Sequence, residues 1–187
     1  MERVTVVRRQ EELGRAELVE VRALLDDAFA DDPLSEDDWQ HCQGGRHVLT
    51  REDGRLVAYA AVVERVMLLD GVPLAVGYVE GVGVRRSHHR RGLGGTVMAP
   101  IEALAGGDLA ALALSTSDEG LPFYLARGWR PWPGRTYVDT SAAPHRRPQL
   151  LRTPDEDESL LVWPHGPFAD VGPDSELACR ARSGDDW

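Results

Sequence analysis

Two long β-rich runs, Arg55 to Val66 and Val72 to Val84, meet at an Asp70-Gly71 pair, and no other part of the chain restricts the fold as strongly. Asp-Gly flanked by apolar residues is a two-residue hairpin signal, so the runs are expected to pair antiparallel. Glycines at 77, 81 and 83 interrupt the second run. A glycine inside a strand marks a bulge or a close approach of something to the backbone. The run then enters an Arg/His/Gly loop, and a helix is expected from about Gly94 to Leu104. Pro100 lies inside that helix and should kink or shorten it, at about 3 kcal/mol if mid-helix.

The remaining elements read more weakly. Arg3 to Arg8 suggests a first strand. Leu13, Leu18, Val21, Leu25 and Phe29 recur at helical spacing, giving a helix over Leu13 to Phe29 that must stop before Pro33. Ser35 with Asp38 three residues on forms a capping box for a short helix carrying Trp39. His47 to Arg51 is a strand leading to a turn at Glu52-Asp53-Gly54. Leu109 to Ser115 is nearly all apolar, as in a strand buried on both faces. Asp118 to Arg127 reads as a helix with Pro122 near its first turn and Gly128 as its stop. Gly128 to Val138 and Ser159 to Val162 read as closing strands, Ser141 to Glu158 as a loop, and the tail from Pro164 shows no strong periodicity. The order gives an α+β fold.

With 187 residues the chain is expected to form one domain, residues 1–187. No apolar run approaches the ~18 residues of a spanning helix, and Met1-Glu-Arg-Val-Thr lacks the order of a signal peptide, so a cytoplasmic protein away from membranes is expected. Cys42 and Cys179 then read as packed, reduced thiols. All 21 bases are arginine, set against 31 acids for a net charge of −10. That balance disfavours nucleic acid as a partner and favours a cationic ligand.

Against this acidic background, Gly83-Val84-Arg85-Arg86-Ser87-His88-His89-Arg90-Arg91-Gly92-Leu93-Gly94-Gly95 is a basic knot. Its glycines, its arginines and the amides of the following helix start all suit an anion. A solvated basic turn is the plainer reading. A P-loop is excluded by the lack of lysine, and the glycine spacing is not a dinucleotide-binding fingerprint. What is left is a diphosphate held by backbone amides without metal. His41, His47, His145 and His165 have no zinc-ligand spacing, and no metal is expected.

Val82-x-Val84 followed by His89-Arg90-Arg91-Gly92-Leu93-Gly94 resembles motif A of the GCN5-related N-acetyltransferases (GNAT), with His89 where Arg or Gln is usual. Further stretches resemble the aminoglycoside 2′-N-acetyltransferases: Gly77 to Val82, Phe123 to Trp129, Arg152-Thr153-Pro154-Asp155, Ser175 to Cys179 and Gly184-Asp185-Asp186-Trp187. Ala28-Phe29 with Asp32, and Asp38 to His41 running on to Gly44-Gly45, match near the start. The resemblance implies a GNAT fold, with a mixed, mostly antiparallel central sheet flanked by helices and a strand pair splayed at the acetyl-CoA site. It implies acetyl-CoA as co-substrate, held by Val82, Gly83, Val84, His89, Arg90, Arg91, Gly92, Leu93, Gly94, Glu119 and Tyr124.

The same resemblance implies Glu80 as a base acting through water and Tyr124 as the acid that protonates the leaving thiolate. It places Asp32, Glu80, Gly81, Ser115, Asp155, Glu156, Asp185 and the Trp187 carboxylate toward the aminoglycoside, with the tail 164–187 contributing to that site. Three acidic runs (Asp26 to Asp38, Asp155 to Glu158 and Asp185-Asp186) suit a substrate bearing several ammonium groups, although each run singly reads as a solvated face. Two alternatives stay open. One is a GNAT acting on a polyamine, peptide or metabolite amine, and the other is a module that binds acyl-CoA or a cation without turnover. Sibling enzymes often pair, which leaves a homodimer open.

Overall fold

The computed structural model describes residues 2–141 and 147–187, so His145 and part of the loop expected over Ser141 to Glu158 lie outside the described residues. The chain divides into two compact units. One runs up to Val63 and adds Val79–Leu104, and the other joins Glu64–Tyr78 to Ala105–Trp187.

The first unit contains β1 (Arg3–Arg9), α1 (Arg15–Ala28), α2 (Glu36–His41), β2 (Arg46–Glu52), the first part of β3 (Arg55–Leu69), the last part of β4 (Val72–Val84) and α3 (Leu93–Glu102). β1, β2 and β3 pair antiparallel in sequence order, and β4 is the next neighbour of β3. The turns that join β2 to β3 and β3 to β4 each place an aspartate and a glycine at positive φ, Asp53 at 46° with Gly54 at 82° and Asp70 at 50° with Gly71 at 80°. Left-handed backbone at both central positions matches the right-handed strand twist, which is why Asp-Gly occurs at both turns.

α1 starts two residues after the first residue of its apolar stripe, at Arg15. Gly14 is its N-cap and donates its amide to Glu17 Oε2 (3.3 Å), while Leu13 sits outside the helix yet is buried. Val21, Leu24 and Leu25 pack on Leu49, Leu56, Tyr59 and Ala61, and each such aliphatic burial is worth roughly 1.5–3 kcal/mol. The capping box before α2 forms as expected, with Asp38 N donating to Ser35 Oγ (3.1 Å) and Ser35 N to Asp38 Oδ2 (2.9 Å). The strand glycines are explained by the same packing. A β-carbon on Gly81, at φ 57°, would lie 2.6 Å from Cys42 Sγ, and one on Gly83 would lie 3.0–3.3 Å from Leu25, Leu24 and Ala28. Bare backbone there lets α1 and Cys42 close onto β4.

The second unit holds β5 (Ala111–Ser115), α4 (Leu121–Ala126), β6 (Arg130–Pro131), β7 (Arg135–Asp139), β8 (Leu150–Arg152), β9 (Leu160–Val162) and β10 (Glu176–Arg180). The strand order is β6-β9-β5-β4-β3-β10-β7-β8. β4 with β5 and β10 with β7 are parallel, and the other registered pairs in the unit are antiparallel. The β4–β5 ladder registers Val76–Tyr78 against Ala111–Ala113 and ends there. Met67, Tyr78, Trp132, Phe168, Leu177 and Trp187 are among the buried side chains of its core.

Several expectations change. The tail is not irregular, because Glu176–Arg180 forms a strand with five registered partners in β7. The stretch read as a loop includes β8 and a 3₁₀ turn over Pro154–Glu156. The strand expected over Gly128 to Val138 is cut in two by Pro133-Gly134, where a β-carbon on Gly134 would meet the Ser175 carbonyl oxygen at 2.1 Å. α4 is shorter than expected, because residues 118–120 are turn. α3 ends at Glu102, two residues beyond Pro100. No helix among the described residues is long and apolar enough to cross a membrane.

Candidate active site

In the first unit the site begins with a backbone conformation. Gly92 is the N-cap of α3 at φ 74°, with nothing within 4 Å of a β-carbon built on it, and Arg90 before it is also left-handed at φ 60°. The leading amides of α3 have no intrahelical acceptor and lie at the positive end of the helix dipole. The surface above Gly92 is thus open and electropositive, which fits a diphosphate. A chain of hydroxyls ties down the helix start. Thr5 Oγ1 lies 2.8 Å from Thr50 Oγ1, Thr50 Oγ1 lies 2.7 Å from Thr96 Oγ1, and Thr96 donates to the Leu93 carbonyl (2.7 Å).

The basic side chains of the loop are mostly committed to the protein itself. Arg85 donates through Nε to the Leu56 carbonyl (2.8 Å), Arg86 pairs with Asp31, and Arg91 Nη2 lies 2.8 Å from Glu52 Oε2. His89 Nε2 turns back to the Val84 carbonyl at 3.0 Å. Among the described residues the Arg90 side chain has no hydrogen-bond or ion-pair partner. The expectation of several loop cations reaching an anion therefore narrows to Arg90 and the main chain.

Glu80 and Gly81 lie late in β4, where Gly81 turns to a positive φ of 57°, with Val82, Gly83 and Val84 following to the end of the strand. The acidic run at the end of α1 is less available than its composition suggests. Asp26 and Glu36 pair with Arg22, Asp27 accepts the Arg86 amide (2.9 Å), Asp31 pairs with Arg86, and Asp38 is spent in the capping box. Asp32 is exposed, and its carboxylate has no partner among the described residues.

In the second unit, Tyr124 on α4 is buried against Phe123 (ring centroids 5.0 Å) and Trp129 (6.2 Å), and Trp129 in turn meets Trp163 (5.5 Å). Its hydroxyl has no hydrogen-bond partner among the described residues, and burial pushes its pKa up, so it stays a neutral donor. Glu119 is exposed in the turn before α4. Ser115, at the end of β5, donates to Ser159 Oγ (2.9 Å), and Ser159 donates to Glu156 Oε2 (2.8 Å).

Four of the expected substrate residues come together. A pocket of about 320 Å³ is lined by Asp155, Glu156, Asp185 and Trp187, with Asp186, Arg152 and Thr153 among its other walls. Arg152 does not neutralise it freely, because its guanidinium is paired with Asp157 and donates to the Thr136 carbonyl (3.1 Å). Burial would raise the Asp157 carboxyl, but Arg152 and the Thr136 hydroxyl and amide hold it low. The main chain of the tail is pinned by arginine. Arg65 Nη2 donates to the Asp186 carbonyl (2.7 Å), and Arg182 donates to the Asp185 (2.7 Å) and Trp187 (3.0 Å) main-chain oxygens. Sequence reasoning missed Ser159, Arg65 and Arg182, since each acts on a partner distant in sequence or on the main chain and carries no spacing signal. Both cysteines are buried, and burial pushes the Cys179 thiol up to about 12. Among the described residues no three His, Cys, Asp or Glu side chains are arranged to hold a metal.

A family model described as an acetyltransferase (GNAT) domain matches residues 9–132. The chain is 40% identical over 168 residues to an aminoglycoside 2′-N-acetyltransferase from Mycolicibacterium fortuitum, covering 89% of this chain and 83% of that one. Among solved structures it is similar to a GNAT family acetyltransferase from Brucella melitensis in complex with acetyl-CoA (TM-score 0.52, 17% identity), covering 68% of this chain and 83% of that one. It is also similar to a probable N-acyltransferase from Enterococcus faecalis (TM-score 0.55, 17% identity), with 74% of this chain covered. This chain spans 40% of the length of that longer protein. At these identities the solved structures establish the fold alone.

Proposed function

Because the chain belongs to the GNAT acetyltransferases and, within them, to the aminoglycoside 2′-N-acetyltransferases, we propose that it transfers the acetyl group of acetyl-CoA to the 2′-amine of an aminoglycoside. The observation that carries the choice of acceptor is the 320 Å³ pocket walled by Asp155, Glu156, Asp185 and Asp186, whose one arginine is already paired. Such a pocket concentrates polyammonium ligands. The whole chain acts in this reading as one acetyltransferase domain, with the tail 164–187 in the substrate site.

Acetyl-CoA supplies an activated thioester. The chain's part is to hold it, polarise it and move two protons. The open amides from Arg90 to Gly94 take the diphosphate, with the Arg90 guanidinium beside them, and Val82 and Val84 present main-chain N–H groups to the acetyl carbonyl and the pantetheine arm. Asp32, Gly81, Ser115 and the pocket acids orient the sugar amines. An alkyl amine is protonated near neutral pH and cannot attack until a proton leaves. Glu80 accepts that proton through a water molecule, an assistance worth about 10²–10⁴-fold. The nitrogen then forms its bond to the carbonyl carbon, the C–S bond breaks, and the sulfur takes a proton or a strong hydrogen bond from the Tyr124 hydroxyl, while the nitrogen's second proton passes to water and from there restores the phenol. A phenol raised above its ordinary 10 is a weaker acid than a thiol near 8.5, so Tyr124 serves chiefly as a donor to the forming thiolate.

The test is free-thiol release from acetyl-CoA with two matched aminoglycosides, one bearing a 2′-amine and one a 2′-hydroxyl, together with spermidine and a short peptide. Turnover with the 2′-amino compound alone is the expected result. Turnover on spermidine or peptide and on neither aminoglycoside would overturn the acceptor assignment.

A further inference from the structure

Glu52, the last residue of β2, is a carboxylate the reaction does not use, and it is only 5% exposed. Its Oε1 accepts from Arg3 Nε (3.0 Å) and Nη2 (2.7 Å). Its Oε2 faces Arg91 Nη2 at 2.8 Å and His88 Nε2 at 3.9 Å, so two residues of the candidate acetyl-CoA loop turn their side chains toward it. Hydrogen bonding from Arg3, with the charge of Arg91, holds this carboxyl below the usual range and keeps it ionised. A buried anion so near a loop built for a diphosphate would repel the ligand if it stood alone. Here it is covered from β1 by Arg3 and from the loop by Arg91, and the three groups together carry one net positive charge.

We propose that Glu52 is a positioning residue for the Arg91 side chain and acts on the acetyl-CoA loop through charge, not through the loop's shape. It holds Arg91 as its own counter-ion, so that Arg91 acts as a shield over a buried carboxylate and not as a phosphate ligand. The inference rests on the reading of this loop as the acetyl-CoA site. Arg91 matters to the cofactor only through the charge it cancels. Removing Arg91 lowers the local charge by one, and removing the Glu52 charge raises it by one. Removing both restores the starting value, with Arg90 and the main-chain amides untouched. One unit of charge roughly 10 Å from a diphosphate in a mostly aqueous setting changes affinity about three- to fivefold, and salt screens most of the effect.

The experiment is calorimetric titration of coenzyme A into the wild type, Glu52→Gln, Arg91→Met and the double variant, at low and at high ionic strength, with acetyl-CoA KM and kcat measured on each. Arg91→Gln substitutes if Arg91→Met does not fold. Glu52→Gln should tighten binding about three- to fivefold at low salt and converge on the wild type at high salt. Arg91→Met should weaken it by a similar factor, and the double variant should return to within about twofold of the wild type, with the acetyl-CoA KM of each protein following its affinity. A double variant as weak as Arg91→Met makes Arg91 a direct phosphate ligand and overturns the proposal. So does a Glu52→Gln protein that binds less tightly than the wild type, since Glu52 would then be needed only for loop shape. A wild type that gives no heat with coenzyme A removes the cofactor reading itself, an outcome distinct from either of those.

Discussion

Acidification should unlock the first unit at a single histidine. His47 on β2 is fully buried, with Nδ1 2.7 Å from the Tyr59 hydroxyl and Nε2 2.8 Å from Gln10 Oε1. Burial lowers its pKa from 6.5 to about 4, so it stays neutral in the folded protein through most of the acid range. In the unfolded chain the same imidazole takes its proton near 6.5. Its folded pKa is the lower of the two, so the stability it preserves is complete above pH 6.5 and is lost as pH falls from 6.5 toward 4. Between pH 7 and pH 5 this amounts to about 2 kcal/mol, and to about 3 kcal/mol at most. Urea unfolding followed by far-ultraviolet ellipticity at pH 7 and pH 5 reads the difference. Repeating it with His47→Gln cancels the contribution of every other titrating group. The wild type should lose about 2 kcal/mol more than the variant over that interval. Equal losses in the two proteins would mean that His47 is hydrated or already charged when folded, and the reasoning from burial would fail.

Glu80→Gln should lower kcat by about 10²-fold or more while acetyl-CoA affinity, measured by calorimetry, stays within about twofold. Equal loss in both would make Glu80 a structural residue of β4. Tyr124→Phe should cost less than about tenfold in kcat, because a thiolate leaves tolerably without a proton, and a loss beyond about 10³-fold would make the hydroxyl an obligatory acid. Gly81→Ala should destabilise the fold by about 2–4 kcal/mol in urea titrations, from left-handed strain plus the contact with Cys42 Sγ. Adding Cys42→Ala should recover part of it, and no recovery would mean that the strain lies in the backbone alone.

The elements that were legible share one property: local sequence decides them. β4 runs from Val72 to Val84 as read, because an Asp-Gly turn sets its start and the basic loop its end. The capping box at Ser35 and the apolar stripe of α1 are local in the same way. β10 and β8 escaped because Glu176–Arg180 and Leu150–Arg152 carry no alternation of their own and become strands by pairing with β7. The acids divided on similar lines. Asp155, Glu156 and Asp185 share a pocket, whereas most of the run from Asp26 to Asp38 is taken up by Arg22, Arg86 and a helix cap. Composition places acids in a stretch of chain without saying which are already paired. The loop arginines teach the same lesson with the sign reversed, since only Arg90 lacks a partner among the described residues.

The most direct measurement is carbon-13 NMR of an aminoglycoside bearing a 2′-amine and several other amines, after reaction with acetyl-CoA labelled at the acetyl carbonyl. The account predicts a single new amide carbonyl correlated to the 2′ position, with free coenzyme A formed in equal amount. A label on a different amine, or on the protein, or retained on coenzyme A, would contradict it.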